Sequence, residues 1–185
     1  VGPSGSGKSS LLMLLGGLED CSEGTIKVQG RNLGDLNEDE LANLRRRHIG
    51  IIFQSFHLIP TMTSLENVAI PLELDNQEKP FEKAHEMLSR LGLSHRINHF
   101  PSQMSGGEQQ RVAIARALIL KPSIILADEP TGNLDSNNSK MISDLLFELA
   151  NQYSTTLIIV THSTDLAKRC QRQLEIKDGQ ISELR

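Results

Sequence analysis

Residues 104–136, MSGGEQQRVAIARALILKPSIILADEPTGNLDS, carry most of the architecture in a single run. The run opens on a Ser105-Gly106-Gly107 turn and continues into a helix expected over Glu108 to Leu120. After Pro122 comes an apolar stretch, Ser123 to Ala127, that ends in Asp128, Glu129 and Pro130. A short continuous apolar run bounded by a proline and by charge predicts a strand buried on both faces. Acids commonly end strands at the surface, but that explains a single acid better than an Asp-Glu-Pro step after four apolar residues. Asp128, delivered by such a strand, is suited to hold Mg²⁺ directly or through water. Glu129, one residue further on, is placed to orient or deprotonate an attacking water.

The same alternation extends in both directions. Downstream, residues 139–151 read as a helix, Thr156 to Val160 as a second buried strand and residues 164–169 as a short helix. The segment RQLEIKDGQISEL closes the chain as two strands around Asp178-Gly179, a strong hairpin signal. Upstream, Ile49 to Phe53 reads as a buried strand, residues 38–47 as a helix, and Thr25 to Gln29 as a strand ending at Gly30. Ser64 to Leu93 reads as mostly helical and broken by Pro71 and Pro80. Its segment EKAHEMLSRLGL sets Ala84, Met87, Leu88 and Leu91 on one face, a stripe expected to pack into the core. The expected fold is α/β: a mostly parallel sheet with flanking helices, plus a small helical lobe over about residues 55–120, in one domain spanning 1–185.

At the amino end, GPSGSGKS (Gly2, Pro3, Ser4, Gly5, Ser6, Gly7, Lys8, Ser9) fits the phosphate-loop pattern G-x-x-x-x-G-K-[ST] at every fixed position, and Ser10 follows it. Glycines let the backbone fold around a phosphate chain, and the helix starting at Lys8 adds its positive end. Lys8 is then in reach of the β- and γ-phosphates of ATP, and the Ser9 hydroxyl of Mg²⁺. Val1 reads as the last residue of a strand, so the sequence reads as beginning after N-terminal strands of the fold. Ser105-Gly106-Gly107 is a second backbone-rich cradle at the start of a second helix. One nucleotide does not need two cradles in one chain, whereas two copies arranged head to tail would use both.

With these motifs in this order, the sequence resembles the ABC ATPase family over its whole length. GPSGSGKS is similar to the Walker A loop, Gln54 in IIFQS to the Q-loop glutamine, MSGGEQQ to the signature and ILADEP to the Walker B strand. Asn133-Leu134-Asp135 stands where the D-loop is expected, and His162 in IVTHS matches the switch histidine. The resemblance implies ATP and Mg²⁺ as cofactors and ATP hydrolysis as the activity. It implies catalytic roles for Glu129, His162 and Gln54, and Mg²⁺ contacts from Ser9, Gln54 and Asp128. It also implies that Ser105, Gly106, Gly107 and Glu108 face the ATP of the opposite subunit, with Asp135 at the dimer interface. SFHLIPTMTSLENVAIPLEL, ADEPTGNLDS and AKRCQRQLEIKDG narrow it to the group containing lipoprotein-release, macrolide-export and cell-division ATPases. Partners implied are a second copy and a transmembrane permease touched by residues 55–75, at the cytoplasmic face of a bacterial inner membrane. Three positions depart from the common pattern: Met104 for leucine, Ser10 for threonine and Ser163 for aspartate. None removes a group the chemistry requires. The family's adenine-stacking aromatic precedes the phosphate loop, and Tyr153, the only tyrosine, comes too late to serve.

Composition bounds the alternatives. A net charge of −4 argues against a nucleic-acid binder, and no apolar run approaches the roughly 20 residues of a membrane-spanning helix. A soluble ABC ATPase of DNA repair or translation is the main competing reading. The repair forms insert long coiled coils between Walker A and signature, and no heptads separate Lys8 from Ser105; the translation forms carry two cassettes. A kinase or GTPase would have no use for SGGEQ. Arg45, Arg46 and Arg47 read as a solvated face at a helix C-terminus. Cys21 and Cys170 read as packing residues, and His95 and His99 as surface residues with no acid or cysteine cluster to make a metal site.

Overall fold

A computed structural model describes every residue of the chain except Ser4, Asp178 and Arg185. The phosphate contact expected of Ser4 and the Asp178 half of the expected hairpin turn therefore lie outside the described residues.

Helix α1 (Lys8–Leu15) starts from Gly7, whose φ of +93° is a left-handed conformation that glycine adopts without steric cost. The strand expected over 25–29 is a two-stranded antiparallel ribbon instead, β1 (Lys27–Val28) with β2 (Arg31–Asn32). Gln29 and Gly30 both take positive φ, +51° and +75°, the backbone twist that folds a strand tightly back on itself. Helix α2 (Glu38–His48) carries a capping box between Asn37 and Glu40 and leads directly into β3 (Ile49–Ile52).

The helical lobe contains α3 (Ser64–Leu74), α4 (Pro80–Arg90) and α5 (Gly106–Leu118). Pro80 begins α4, as its missing N–H permits. Pro71, expected to break the first of these helices, lies inside α3. Val68, Ala69 and Leu72 are buried on both sides of it, and that packing carries the helix across a residue costing roughly 3 kcal/mol in a helix interior. Ala84, Met87, Leu88 and Leu91 are all buried, as the spacing requires.

The chain then forms β4 (Ile124–Asp128), α6 (Ser136–Gln152), β5 (Thr156–Val160), α7 (Thr164–Lys168) and the hairpin β6 (Leu174–Lys177) and β7 (Gln180–Glu183). Val1 runs beside β6, its carbonyl accepting the Ile176 N–H at 2.8 Å.

Strands β3, β4 and β5 form a parallel sheet in that order, with Ile52 opposite Ala127 and Asp128 opposite Val160. Strand side chains alternate between faces, and both faces of β4 are covered. Ile125 and Ala127 join Ile52 in a cluster with Val112, Leu118, Ile142 and Leu146 from α5 and α6. Leu126 faces the other way, onto Leu12 of α1 and Leu41 and Leu44 of α2. A strand with no polar side is the result, which is why it reads as a continuous apolar run. At Gly50 of β3 helix α5 packs close against this sheet: a Cβ there would collide with the Ala117 carbonyl oxygen and with Ile125 Cδ1.

Two expectations need correction. Arg45 donates to the Gly17 carbonyl, and Arg46 reaches across to the end of α3, to the Leu74 carbonyl and the Asp75 carboxylate (3.5 Å). Only Arg47 is a solvated cation, because α2 ends against two neighbouring elements and not in water. Cys21 is exposed, so it does not pack, while Cys170 is half-buried.

Candidate active site

The carboxyl end of β4 and the amino end of α1 meet at a cleft of about 680 Å³. Gly5, Gly7, Lys8, Ser9 and Ser10 line it from the phosphate loop, and Gln54, Asp128, Glu129 and His162 from the strand ends. Residues far apart in sequence thus share one wall because parallel strands present all their carboxyl ends on one side.

Lys8 is buried, and its ammonium donates to the carbonyls of Gly2 (2.9 Å) and Pro3 (2.8 Å). An ammonium has three protons, so one remains for an anion in the loop. The buried Ser6 Oγ has no partner among the described residues, an orphan donor inside the same loop. Gly2, Pro3 and Ser6 therefore shape the loop, while Gly5, Gly7, Lys8, Ser9 and Ser10 face the cleft. Together with the positive end of α1 these groups fit a polyphosphate. Among the described residues no cluster of three or more His, Cys, Asp or Glu exists to hold a metal alone. The donors present, the Ser9 hydroxyl, the Gln54 amide and the Asp128 carboxylate, fit Mg²⁺, which takes few protein ligands and shares the rest with phosphates and water.

Glu129 stands just past β4 with φ +42°, and its N–H continues the ladder to the Val160 carbonyl (2.8 Å). This left-handed step turns its carboxylate toward the loop after β5. Oε2 accepts the Thr161 hydroxyl (3.0 Å), and Oε1 accepts the His162 backbone N–H (2.9 Å) and lies 2.8 Å from His162 Nδ1. His162 itself is largely exposed, with 70% of its side chain accessible against 13% for Glu129. Thus the acid is fixed while the ring it orients faces solvent. Gln54 is held differently: its amide donates to Asn133 Oδ1 (3.2 Å), and Asn133 Nδ2 donates to the Gln54 carbonyl (3.0 Å).

The second cradle is well built, but none of its residues lines this cleft. Ser105 caps α5, accepting the Glu108 N–H (3.3 Å) and donating its own N–H (2.8 Å) and hydroxyl (2.9 Å) to Glu108 Oε2. Arg96 Nε adds a bond to Glu108 Oε1 at 2.8 Å. Burial alone would raise the Glu108 pKa, but the Ser105 N–H, the Arg96 guanidinium and the Ser105 hydroxyl bring it down to about 2. Gly106 and Gly107 allow α5 to press on the next segment: a Cβ on Gly107 would lie 2.7 Å from Asn138 Oδ1, and one on Gly106 3.3 Å from Leu134 Cδ2. Asp135 is also outside the cleft. It caps α6, accepting the N–H groups of Asn137 and Asn138, and bonds to Asn138 lower its pKa.

Sequence reasoning did not connect Thr161, Arg96 or Asn133 to these groups. Thr161 could have been suspected from its place beside His162; nothing in the sequence points to Arg96.

A family profile described as ABC transporter matches residues 1–132. The chain belongs to this family. It is 49% identical over 99% of its length to the ABC transporter ATP-binding protein YbbA of Escherichia coli strain K12, covering 81% of that protein. It is 48% identical, again over 99% of its length, to the lipoprotein-releasing system ATP-binding protein LolD of Shewanella denitrificans, covering 79% of it. A dimeric structure of MJ0796, a bacterial ABC transporter cassette, superposes with a TM-score of 0.89 at 44% identity, covering 100% of this chain and 83% of that one. A dimeric post-hydrolysis state of the same cassette bound to ADP and Pi gives 0.89 at 43%, with the same coverage. The protein is thus an ATP-binding subunit of the ABC transporter family, with the cassette fold and the parallel sheet expected from its sequence. Among its described residues no helix is long and apolar enough to cross a membrane.

Proposed function

We propose that this ABC protein hydrolyses ATP with Mg²⁺ at a site shared between two copies arranged head to tail, and so drives a membrane permease. The carrying observation is the division of labour within the chain: Lys8, Asp128, Glu129 and His162 share one cleft, while the Ser105 cradle stands outside it. A second copy brings that cradle to the first copy's nucleotide.

In this reading the phosphate loop and Lys8 bind the β- and γ-phosphates. Ser9, Gln54 and Asp128 hold Mg²⁺, whose charge offsets that of the phosphates when bound. Glu129 orients water toward the γ-phosphorus and takes its proton, and the bonds from the Thr161 hydroxyl and the His162 N–H keep that carboxylate in place. His162, fixed at Nδ1 by Glu129, presents Nε2 to the γ-phosphate. Ser105, Gly106, Gly107 and Glu108 of the facing copy close the site, with Asp135 at the same interface. Residues 1–185 act as one cassette domain with a helical lobe over about 55–120, seated on the permease at the cytoplasmic side of a bacterial inner membrane. The names of LolD and YbbA support a transporter of their group, with lipoprotein release or export as its task.

Glu129→Gln, introduced at the chromosomal locus, tests the whole reading. Purified from detergent-solubilised membranes in ATP, the variant is expected to retain nucleotide without turning it over and to carry a stoichiometric polytopic permease. Recovery of a dimer alone, or with ribosomes or DNA, would replace the transporter role with that of a soluble ABC ATPase.

A further inference from the structure

The segment after β3 contains two consecutive residues in a conformation that side chains avoid. Phe56 and His57 have φ of +61° and +47°. The Phe56 N–H closes a turn onto the Phe53 carbonyl (3.1 Å), and the His57 N–H closes a tighter three-residue turn onto the Ser55 carbonyl (2.6 Å). A three-residue turn with a positive central φ is rare and strained. Histidine tolerates positive φ better than most residues, but a bulky phenylalanine does not, so local preference leaves the Phe56 conformation unaccounted for.

The compensation comes from α5. Arg116, in its last turn, donates from Nη1 to the His57 carbonyl (2.7 Å) and from Nη2 to the Phe56 carbonyl (3.0 Å). Its planar fork spans two successive carbonyls that this double turn points the same way. Arg116 thus directs its charge to two backbone carbonyls. The group is half-buried, and desolvation lowers its pKa, a cost that its two carbonyl partners offset. The His57 ring also stacks on Phe53, centroids 4.4 Å apart, so the turn folds over the residue that precedes Gln54.

We propose that Arg116 is a positioning residue: it holds Phe56 and His57 in their left-handed turn and thereby fixes Gln54 at the edge of the nucleotide cleft. Gln54 is then gripped from both sides, by Asn133 directly and by Arg116 through the turn. Because α5 begins at the Ser105 cradle and carries Arg116 in its last turn, this helix links the second cradle mechanically to Gln54. The inference rests on the ATPase reading above.

The test uses the full-length protein, first showing Mg·ATP turnover by the parent; no turnover there would remove the ATPase reading itself. Arg116→Lys keeps the charge and the stem but not the fork. Its kcat is expected to fall at least fivefold with KM for Mg·ATP within twofold, and amides of residues 54–58 to exchange hydrogen at least tenfold faster. Adding His57→Gly, which takes positive φ freely, should recover half or more of the lost turnover. Turnover and exchange within twofold of the parent would overturn the proposal. So would a loss that His57→Gly does not relieve, or chains that fail to fold with and without that second change, since those mark a purely structural arginine.

Discussion

Gln54 and Asn133, 79 positions apart in the chain, hold each other reciprocally: each side-chain amide donates to the other residue, one to a side-chain oxygen and one to the main chain. Gly132 makes room for the arrangement, since a Cβ there would lie 2.8 Å from Gln54 Nε2. The segment after β4 thus sets the position of a residue that follows β3. Losing both bonds through Asn133→Ala should lower kcat for ATP by about tenfold, the effect of one to two neutral hydrogen bonds, with KM little changed. Steady-state kinetics on the purified protein check this.

His162→Ala removes the ring that Glu129 orients and should cut turnover by about 10²-fold or more, the range of a positioned proton-transfer or transition-state group. Thr161→Val removes the hydroxyl donor on the same carboxylate and leaves the His162 N–H bond in place. Its effect should be smaller, about two- to tenfold by the strength of a hydrogen bond to a charged group. A Thr161→Val loss equal to that of His162→Ala would contradict the geometry.

Gly50→Ala should destabilise the protein without touching the cleft. The added methyl meets the Ala117 carbonyl of α5, backbone that cannot swing aside as the Ile125 Cδ1 end beside it can. Overpacking of this kind costs about 1–3 kcal/mol, at roughly 2–4 °C of Tm per kcal/mol for a chain of this size. Thermal unfolding compared with the parent reads the shift; an unchanged Tm would show that α5 can retreat from β3.

Glu108 supplies the pH prediction. Its folded pKa of about 2 lies below the ordinary 4.5, so the carboxylate's stabilising contribution is complete above pH 4.5. It is lost as pH falls from 4.5 toward about 2 and the bonds from Ser105 and Arg96 meet a protonated acid. Glu108→Gln should therefore lower Tm at neutral pH, and its difference from the parent should shrink steadily over that acid window. A pH-independent difference would place the effect in packing instead of charge.

The sequence exposes the sheet because β4 has no polar face: Ile125 and Ala127 on one side and Leu126 on the other all enter a core. It exposes the cleft because the phosphate loop and the Asp128-Glu129 step are local patterns whose chemistry dictates their composition. Local rules mislead where packing overrules them, as in α3, where buried neighbours carry the helix past Pro71. They are silent where the contact joins distant residues. Nothing near Arg96 announces Glu108, nothing near Arg116 announces a strained turn 60 positions earlier, and Asn133 reads as loop until Gln54 is seen against it.

Lys8 begins one helix and Ser105 caps another, and only Lys8 faces the cleft. On the head-to-tail reading each chain contributes complementary halves to two different sites, which gives the assembly a genetics of its own. Co-expressing a chain defective at Lys8 with one defective at Ser105 gathers both faults into a single site of the mixed pair and leaves the other whole. The same two lesions in one chain, paired with itself, spoil both sites. Activity regained in the mixture and absent from either parent would reveal the pairing without any structure of the dimer.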